Sequence, residues 1–249
     1  MNDDPPIPAA TLVVMRPAAS GPPEILAVER AAGMAFAGGA IVLPGGRIDA
    51  SDRSLAAALG RPDDAAKVTA IRETIEESAV VAGLAGPVDH ALGPLLQTAL
   101  NAGAPFANLL EKHGLTLDLD ALTPFARWMP AFHQARKFDT MFFLASALPG
   151  DWHPVPQPGE CEAAEWASAA ALLRRIAAGE ASAIFPTKRN LERIALHRDI
   201  DEALADARRY PIDTIIPRVE QRGGVAMVCI PEDRGYPVTS EPVTTALRA

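Results

Sequence analysis

Residues 72–80 read Arg72-Glu73-Thr74-Ile75-Glu76-Glu77-Ser78-Ala79-Val80. They close the clearest helical pattern in the chain, predicted over residues 62–81. Pro62 suits a first turn, Asp63 and Asp64 suit the positive end of a helix dipole, and Gly83 is the next Gly or Pro. Val68, Ile71, Ile75 and Val80 are spaced roughly as one apolar face. Glu73, Glu76 and Glu77 stand at i, i+3 and i+4, so at about 100° per residue they share an arc of about 100°. Three carboxylates on one face repel one another unless water or a cation lies between them. Oxygen-only ligands suit hard cations, and Mg²⁺ commonly bridges protein carboxylates to substrate phosphates. Three glutamates alone are more often a solvated acidic face. Arg72 changes the weighing: with each charged type at roughly 6% of residues, an R-E-x-x-E-E match at a given start has a chance of about 10⁻⁵.

Upstream, residues 10–16 (ATLVVMR) read as a strand and 24–30 (EILAVER) as its hairpin partner across Gly21-Pro22-Pro23. Residues 31–39 are small and Gly-rich, hence a loop, and 40–43 form a short strand stopped by Pro44-Gly45-Gly46. A short helix is expected over 54–59. Downstream, 92–101 and 106–113 read as helices, 125–129 and 141–147 as strands, 168–178, 187–197 and 199–209 as helices, and 225–230 as a last strand. The pattern is a mixed α/β chain without the regular alternation of a doubly wound sheet.

Composition narrows the function classes. The 249 residues are 49% hydrophobic and 22% charged, which excludes a disordered or fibrous chain. The net charge of −8 argues against a nucleic-acid partner. The two cysteines, Cys161 and Cys229, form neither a disulfide framework nor a zinc pair. The acidic, Pro-rich start does not read as a signal peptide, and the longest uncharged stretch, 90–110, holds too many Gly, Pro and Asn for a membrane span. The expected protein is soluble and cytoplasmic, with no membrane partner.

Gly46, then five residues, then Asp52, and later Arg72–Val80, resembles the Nudix box, G-x5-E-x7-R-E-U-x-E-E-x-G-U with U a bulky aliphatic. Asp52 stands where the first Glu would be. Nineteen residues, 53–71, separate it from Arg72 where the pattern has seven. Thr74 and Ala79 replace an aliphatic and a Gly; Ala tolerates a helix end but is not expected to serve as a left-handed cap. An expanded box after P-G-G-x-x-D resembles the branch of the peroxisomal coenzyme A diphosphatases and their bacterial relatives. Thr123–Met129 with Arg136–Phe143, Glu162–Trp166, and Pro186-Thr187 with Leu191-Glu192 resemble further segments of that branch.

The resemblance implies an α/β/α Nudix sandwich with a mixed sheet, over residues 1–198. It carries insertions at about 53–64 (expected to loop out of the box) and 91–115, and a C-terminal extension, 199–249, packed on it. Glu73, Glu76, Glu77 and Gly46 would hold Mg²⁺ or Mn²⁺, with Arg72 bracing the glutamates. Water would attack a diphosphate linkage of a nucleoside diphosphate derivative, with Glu73, Glu77, Glu160 or Glu162 as general base. The branch points to coenzyme A or acyl-coenzyme A, and ADP-ribose is the alternative substrate. A silent Nudix-fold ligand sensor is the alternative from another class.

Arg30, Arg136 and Lys137 are the candidate phosphate-binding cations, since a guanidinium matches phosphate geometry. His133 beside Pro130 and Phe132 reads as packing or surface, and Cys161 as an ordinary residue. Residues 34–36 could face an apolar pantetheine arm, and 91–113 form either a lid over the substrate or a homodimer contact.

Overall fold

A computed structural model describes residues 5–33, 37–129 and 137–246. Its centre is β1, Ile7–Arg16, an almost continuous apolar strand buried on both faces. It pairs in parallel with β2 (Phe138–Ser146) from Ile7↔Phe138 to Met15↔Ser146. Its other edge is shared. The first half pairs with β3 (Gly45–Arg47) through Ala9↔Arg47, Ala10↔Gly46 and Thr11↔Gly45, and the far end pairs with the hairpin strand β4 (Glu24–Arg30). The strand β5 (Cys161–Ser168) and the short strand β6 (Ile41–Val42) lie antiparallel to β4. On the opposite side, β7 (Thr123–Trp128) runs antiparallel to β2, and β8 (Thr214–Ile215) adds in parallel to β7.

Alternation along β1 sorts the core into two layers. Ala10, Leu12 and Val14 face one side, where they meet Val68, Ile71 and Ile75 of α2 (Ala65–Ser78). Behind α2 stand α1 (Ala50–Ala58), α3 (Leu92–Asn101) and α4 (Phe106–His113). Val13 and Met15 face the other side, toward Leu172 of α5 (Ala169–Ala178), Leu191 and Ile194 of α6 (Phe185–Ile194), and Ala203 and Ala207 of α7 (Ile200–Arg209). The mixed sheet between helical layers is the α/β/α sandwich expected from the sequence. Burial of each large side chain such as Ile71 or Ile75 contributes about 1.5–3 kcal/mol. The extension beyond α7 is pinned by buried polar contacts: the Tyr236 hydroxyl accepts from Trp128 Nε1 (3.0 Å) and donates to Asn190 Oδ1 (2.8 Å), and Glu241 pairs with Arg189 (2.8 Å) and Lys188 (2.7 Å). Among the described residues no helix is long and apolar enough to cross a membrane.

Several boundaries differ from expectation for local reasons. The helix expected over 62–81 is a 3-10 turn, Pro62–Asp64, followed by α2 proper, and it stops at Ser78. It stops there because Ala79 takes the left-handed conformation (φ 57°), its N–H donating to Ile75 O. Ala79 thus serves as the left-handed cap that its Cβ was expected to prevent, at a cost of about 1–2 kcal/mol. The box insertion does not loop out: it folds as α1, longer than the helix expected over 54–59 and packed on α2. The 91–113 segment packs into the core through one face of its two helices. Leu92, Leu96, Leu100, Phe106, Leu109 and Leu110 are all in the first core layer.

Candidate active site

Arg72 organises the site. It lies on the inner side of α2, 7% exposed, where an unpaired charge would be costly. Asp52 on α1 takes two of its donors, from Nε (2.9 Å) and Nη2 (2.8 Å). The Asp52 carboxylate, itself buried, also accepts from Thr69 Oγ1 (2.8 Å) and the Asp49 N–H (3.0 Å). A shorter acid at position 52 therefore reaches Arg72 because the inserted helix carries it there. The remaining guanidinium nitrogen, Nη1, donates to both Glu73 Oε1 and Glu76 Oε2, at 2.9 Å each. Burial opposes the Arg72 charge, but its hydrogen bonds to Asp52 and the charges of Glu73, Asp52 and Glu76 outweigh it, so its pKa lies above the ordinary value.

The Pro44-Gly45-Gly46 stop lies against this helix. The Gly45 N–H donates to Glu77 Oε2 (3.0 Å). A Cβ placed on Gly46 would lie 2.4 Å from Glu73 Oε1, so the backbone passes directly against that carboxyl group, which would have to swing aside for a side chain at this position. Glu73 and Glu77 thus both face the glycines. Burial drives Glu73 up to about 7, with Arg72 opposing and the charge of Glu76 adding. Burial and the neighbouring Glu73 charge drive Glu77 up to about 8, against the Gly45 N–H and Arg30. Burial also raises Glu76, again against Arg72.

The other candidates divide. Arg30, at a bulge between β4 and β5, stands 3.7 Å from Glu77 Oε1, and its Nε is buried without a partner among the described residues. Glu160 lies close enough for its charge to raise Glu76 and Glu77. It is exposed, and its carboxylate has no hydrogen-bond partner among the described residues. Glu162 spends Oε1 on the Ala32 N–H (3.1 Å). Lys137 is exposed at the start of β2, and its ammonium makes no contact with the carboxylates of α2. Arg136, His133 and residues 34–36 lie outside the described residues. Cys161 borders the site, but burial and the Glu77 charge push its thiol up to about 12, so it stays protonated. Sequence reasoning missed Gln97. Its buried amide donates to the carbonyls of Glu76 (3.1 Å) and Val155 (2.7 Å), and nothing in the local pattern of an apolar helix marks it out.

Among the described residues no three His, Cys, Asp or Glu side chains already converge as a cation's ligands. Arg72 and Arg30 stand beside the carboxylates instead. The donor set nevertheless fits a hard divalent cation. It is all oxygen, and two of its members are buried acids held above their ordinary pKa by burial and by the neighbouring carboxylates.

No protein-family model matches this chain, and no curated protein matches it. Among solved structures, a Nudix hydrolase from Alicyclobacillus acidocaldarius is 30% identical, with 82% of this chain and 97% of that one covered and a TM-score of 0.69. A MutT protein from Methanosarcina mazei Go1 is more distant, 15% identical over 78% of this chain and 96% of that one, with a TM-score of 0.45. The Nudix domain of Shewanella oneidensis NrtR, solved with ADP ribose, is 16% identical over 69% and 78%, with a TM-score of 0.40. Likeness to the Alicyclobacillus protein, over nearly all of its length, places this chain in one class, the Nudix-type pyrophosphatases. This chain belongs to the Nudix hydrolase family.

Proposed function

We propose that this chain cuts the diphosphate linkage of a nucleoside diphosphate derivative with the help of Mg²⁺ or Mn²⁺. The observation that carries this reading is the Arg72 hub: one buried guanidinium holds Asp52, Glu73 and Glu76 while Glu73 and Glu77 face Gly45-Gly46. A divalent cation held by Glu73, Glu76 and Glu77, with the Gly46 carbonyl as a further oxygen donor, would neutralise charge developing on the diphosphate and acidify a water. Arg72 fixes the direction in which Glu73 and Glu76 point. Arg30, with an unspent Nε beside Glu77, turns its guanidinium to a substrate phosphate. Glu160 is the general base, because the other candidates are engaged: Glu73 by Arg72, Glu77 by the Gly45 N–H, Glu162 by the Ala32 N–H. As the water oxygen bonds to phosphorus, its proton passes to Glu160. The bridging P–O bond breaks, and the leaving phosphate keeps the electron pair.

Coenzyme A or acyl-coenzyme A is the proposed substrate, cut to 3′,5′-ADP and a phosphopantetheine product. Its support is the expanded box: α1 delivers Asp52 to Arg72, so the expansion leaves the brace whole. One observation favours ADP-ribose as the second reading, since it needs no site for a 3′-phosphate. Among the described residues the cations touching the carboxylates are Arg72 and Arg30, and Lys137 does not join them. The test is a substrate panel with Mg²⁺ and with Mn²⁺, products identified by mass, comparing coenzyme A, its form lacking the 3′-phosphate, and ADP-ribose. A kcat/KM several-fold higher for coenzyme A than for the dephosphorylated form is expected. Equal values would remove the 3′-phosphate site, and faster ADP-ribose cleavage would favour the second reading. E76Q and E77Q should lose turnover without unfolding, and full activity in both would refute the hydrolytic site. Binding without turnover in wild-type protein would point to the sensor.

A further inference from the structure

The helical insertion meets the active-site helix at its C-terminal carbonyls, which α2 cannot satisfy internally. Ile75 O accepts from the Ala79 N–H at the left-handed cap. Glu76 O accepts from Gln97 Nε2 on α3 (3.1 Å), Glu77 O from the Gln157 N–H (3.2 Å), and Ser78 O from the Val155 N–H (2.8 Å). Gln97 Nε2 also donates to Val155 O (2.7 Å), so both hydrogens of one buried amide join the helix end to the 155–157 segment. A second tie runs outside the first, from Gln157 Nε2 to Asn101 Oδ1 (2.9 Å), also on α3. Helix α3 itself is fixed at close range, since a Cβ on Gly93 would lie 2.0 Å from Ala79 O. Three residues past Gln157 comes Glu160, whose backbone is tied at its far side by the Ala31 N–H to Glu160 O (2.8 Å), next to Arg30.

We propose that Gln97 is a positioning residue. It holds the 155–157 segment on the end of α2 and so sets where the Glu160 carboxylate stands over Glu76 and Glu77. This rests on the reading of Glu160 as general base given above. It also gives the 91–115 insertion a role, as a strut that joins the base-bearing loop to the acid-bearing helix. An amide is required at position 97, because both neighbours are carbonyl acceptors. A thioether of similar volume supplies no donor, and a carboxylate would face the carbonyls with like charge.

The experiment is a double-mutant cycle of Q97M with E160Q, run on full-length protein with coenzyme A and with ADP-ribose in Mn²⁺, alongside melting temperature and amide exchange. N101A, an exposed change that loosens only the outer tie, guards against failure of Q97M to fold. Q97M should lower kcat at least tenfold with KM within twofold, and N101A should do so about threefold. Both effects should vanish on the E160Q background, and the Val155 and Gln157 amides should exchange faster in Q97M. A purely structural Gln97 would instead give losses that multiply with that of E160Q, or unchanged kcat in Q97M and N101A, and either result overturns the inference while leaving the hydrolase reading in place. Wild-type protein inactive on both probes would overturn that reading and this inference together.

Discussion

Gly45 and Gly46 are neighbours in sequence, yet the structure predicts opposite consequences for adding one methyl group to each. At Gly45 a new Cβ would lie 2.4 Å from the Ala10 carbonyl oxygen and 2.7 Å from Thr11 Cα, both backbone atoms of the central strand β1. These atoms cannot rotate away, so β3 must move off β1 by about 1 Å to regain ordinary contact. Overpacking of that kind costs about 1–3 kcal/mol. The same movement pulls the Gly45 N–H from Glu77, a hydrogen bond to an acid worth about 1.5–3 kcal/mol when that acid is charged. Where Glu77 is charged, G45A should therefore lose about 2.5–6 kcal/mol, and at roughly 2–4 °C per kcal/mol its melting temperature should fall by about 5–24 °C. At Gly46 the obstruction is only the Glu73 carboxyl group, at 2.4–2.7 Å, the free end of a flexible side chain. It can swing aside at the expense of one partly buried bond to Arg72, about 1 kcal/mol. G46A should then melt within about 4 °C of wild type but lose about 100-fold or more in kcat, because a displaced acid no longer holds reacting groups in place. Thermal melts and steady-state kinetics on the best substrate of the panel separate the two. G46A with kcat within threefold of wild type, or with a melting loss equal to that of G45A, would refute the assignment of Glu73 to the chemistry.

D52N keeps the shape of the acid but removes the charge facing buried Arg72. Breaking a pair of this kind costs about 3 kcal/mol, so urea or thermal unfolding should register it, and unchanged stability would show that Glu73 and Glu76 alone satisfy Arg72. The pH dependence of the metal-free protein has a definite sign. Glu73 near 7 and Glu77 near 8 lie above their ordinary 4.5, so between about pH 4.5 and 8 the folded state holds more protons than the unfolded one. Stability must then fall as pH rises through that window, with a lower melting temperature at pH 8.5 than at pH 5.5. Mg²⁺ should raise the melting temperature more at pH 8.5 than at pH 5.5; a flat profile without metal would contradict the burial of these two acids.

The sequence by itself determined the parts that depend on short-range spacing. The helical period put Glu73, Glu76 and Glu77 on one face, Pro44-Gly45-Gly46 marked the stop of a short strand, and α3 and α4 were legible to the residue from their apolar rhythm. The hairpin strand 24–30 was equally plain, because a continuous apolar run flanked by turn residues has few other solutions. Where the helix ended was not legible. Ala79 takes a backbone conformation that local propensity disfavours, held by a cap hydrogen bond and by the packing of Gly93 against its carbonyl. The meaning of Asp52 was half visible: its place in the box could be read, but the reach of a shorter acid to Arg72, twenty residues away in sequence, exists only because the insertion folds as a helix on α2. Gln97 was beyond any local rule, and Glu160 was one of four candidate bases that spacing could not separate, since the surroundings of both depend on contacts between segments 21 to 58 and more residues apart, whose geometry is set by the packed core rather than by neighbouring residues. What tertiary structure alone decided is which carboxylates are spent on holding the site and which remains free to act. That allocation is made by long-range hydrogen bonds, which spacing along one helix cannot encode.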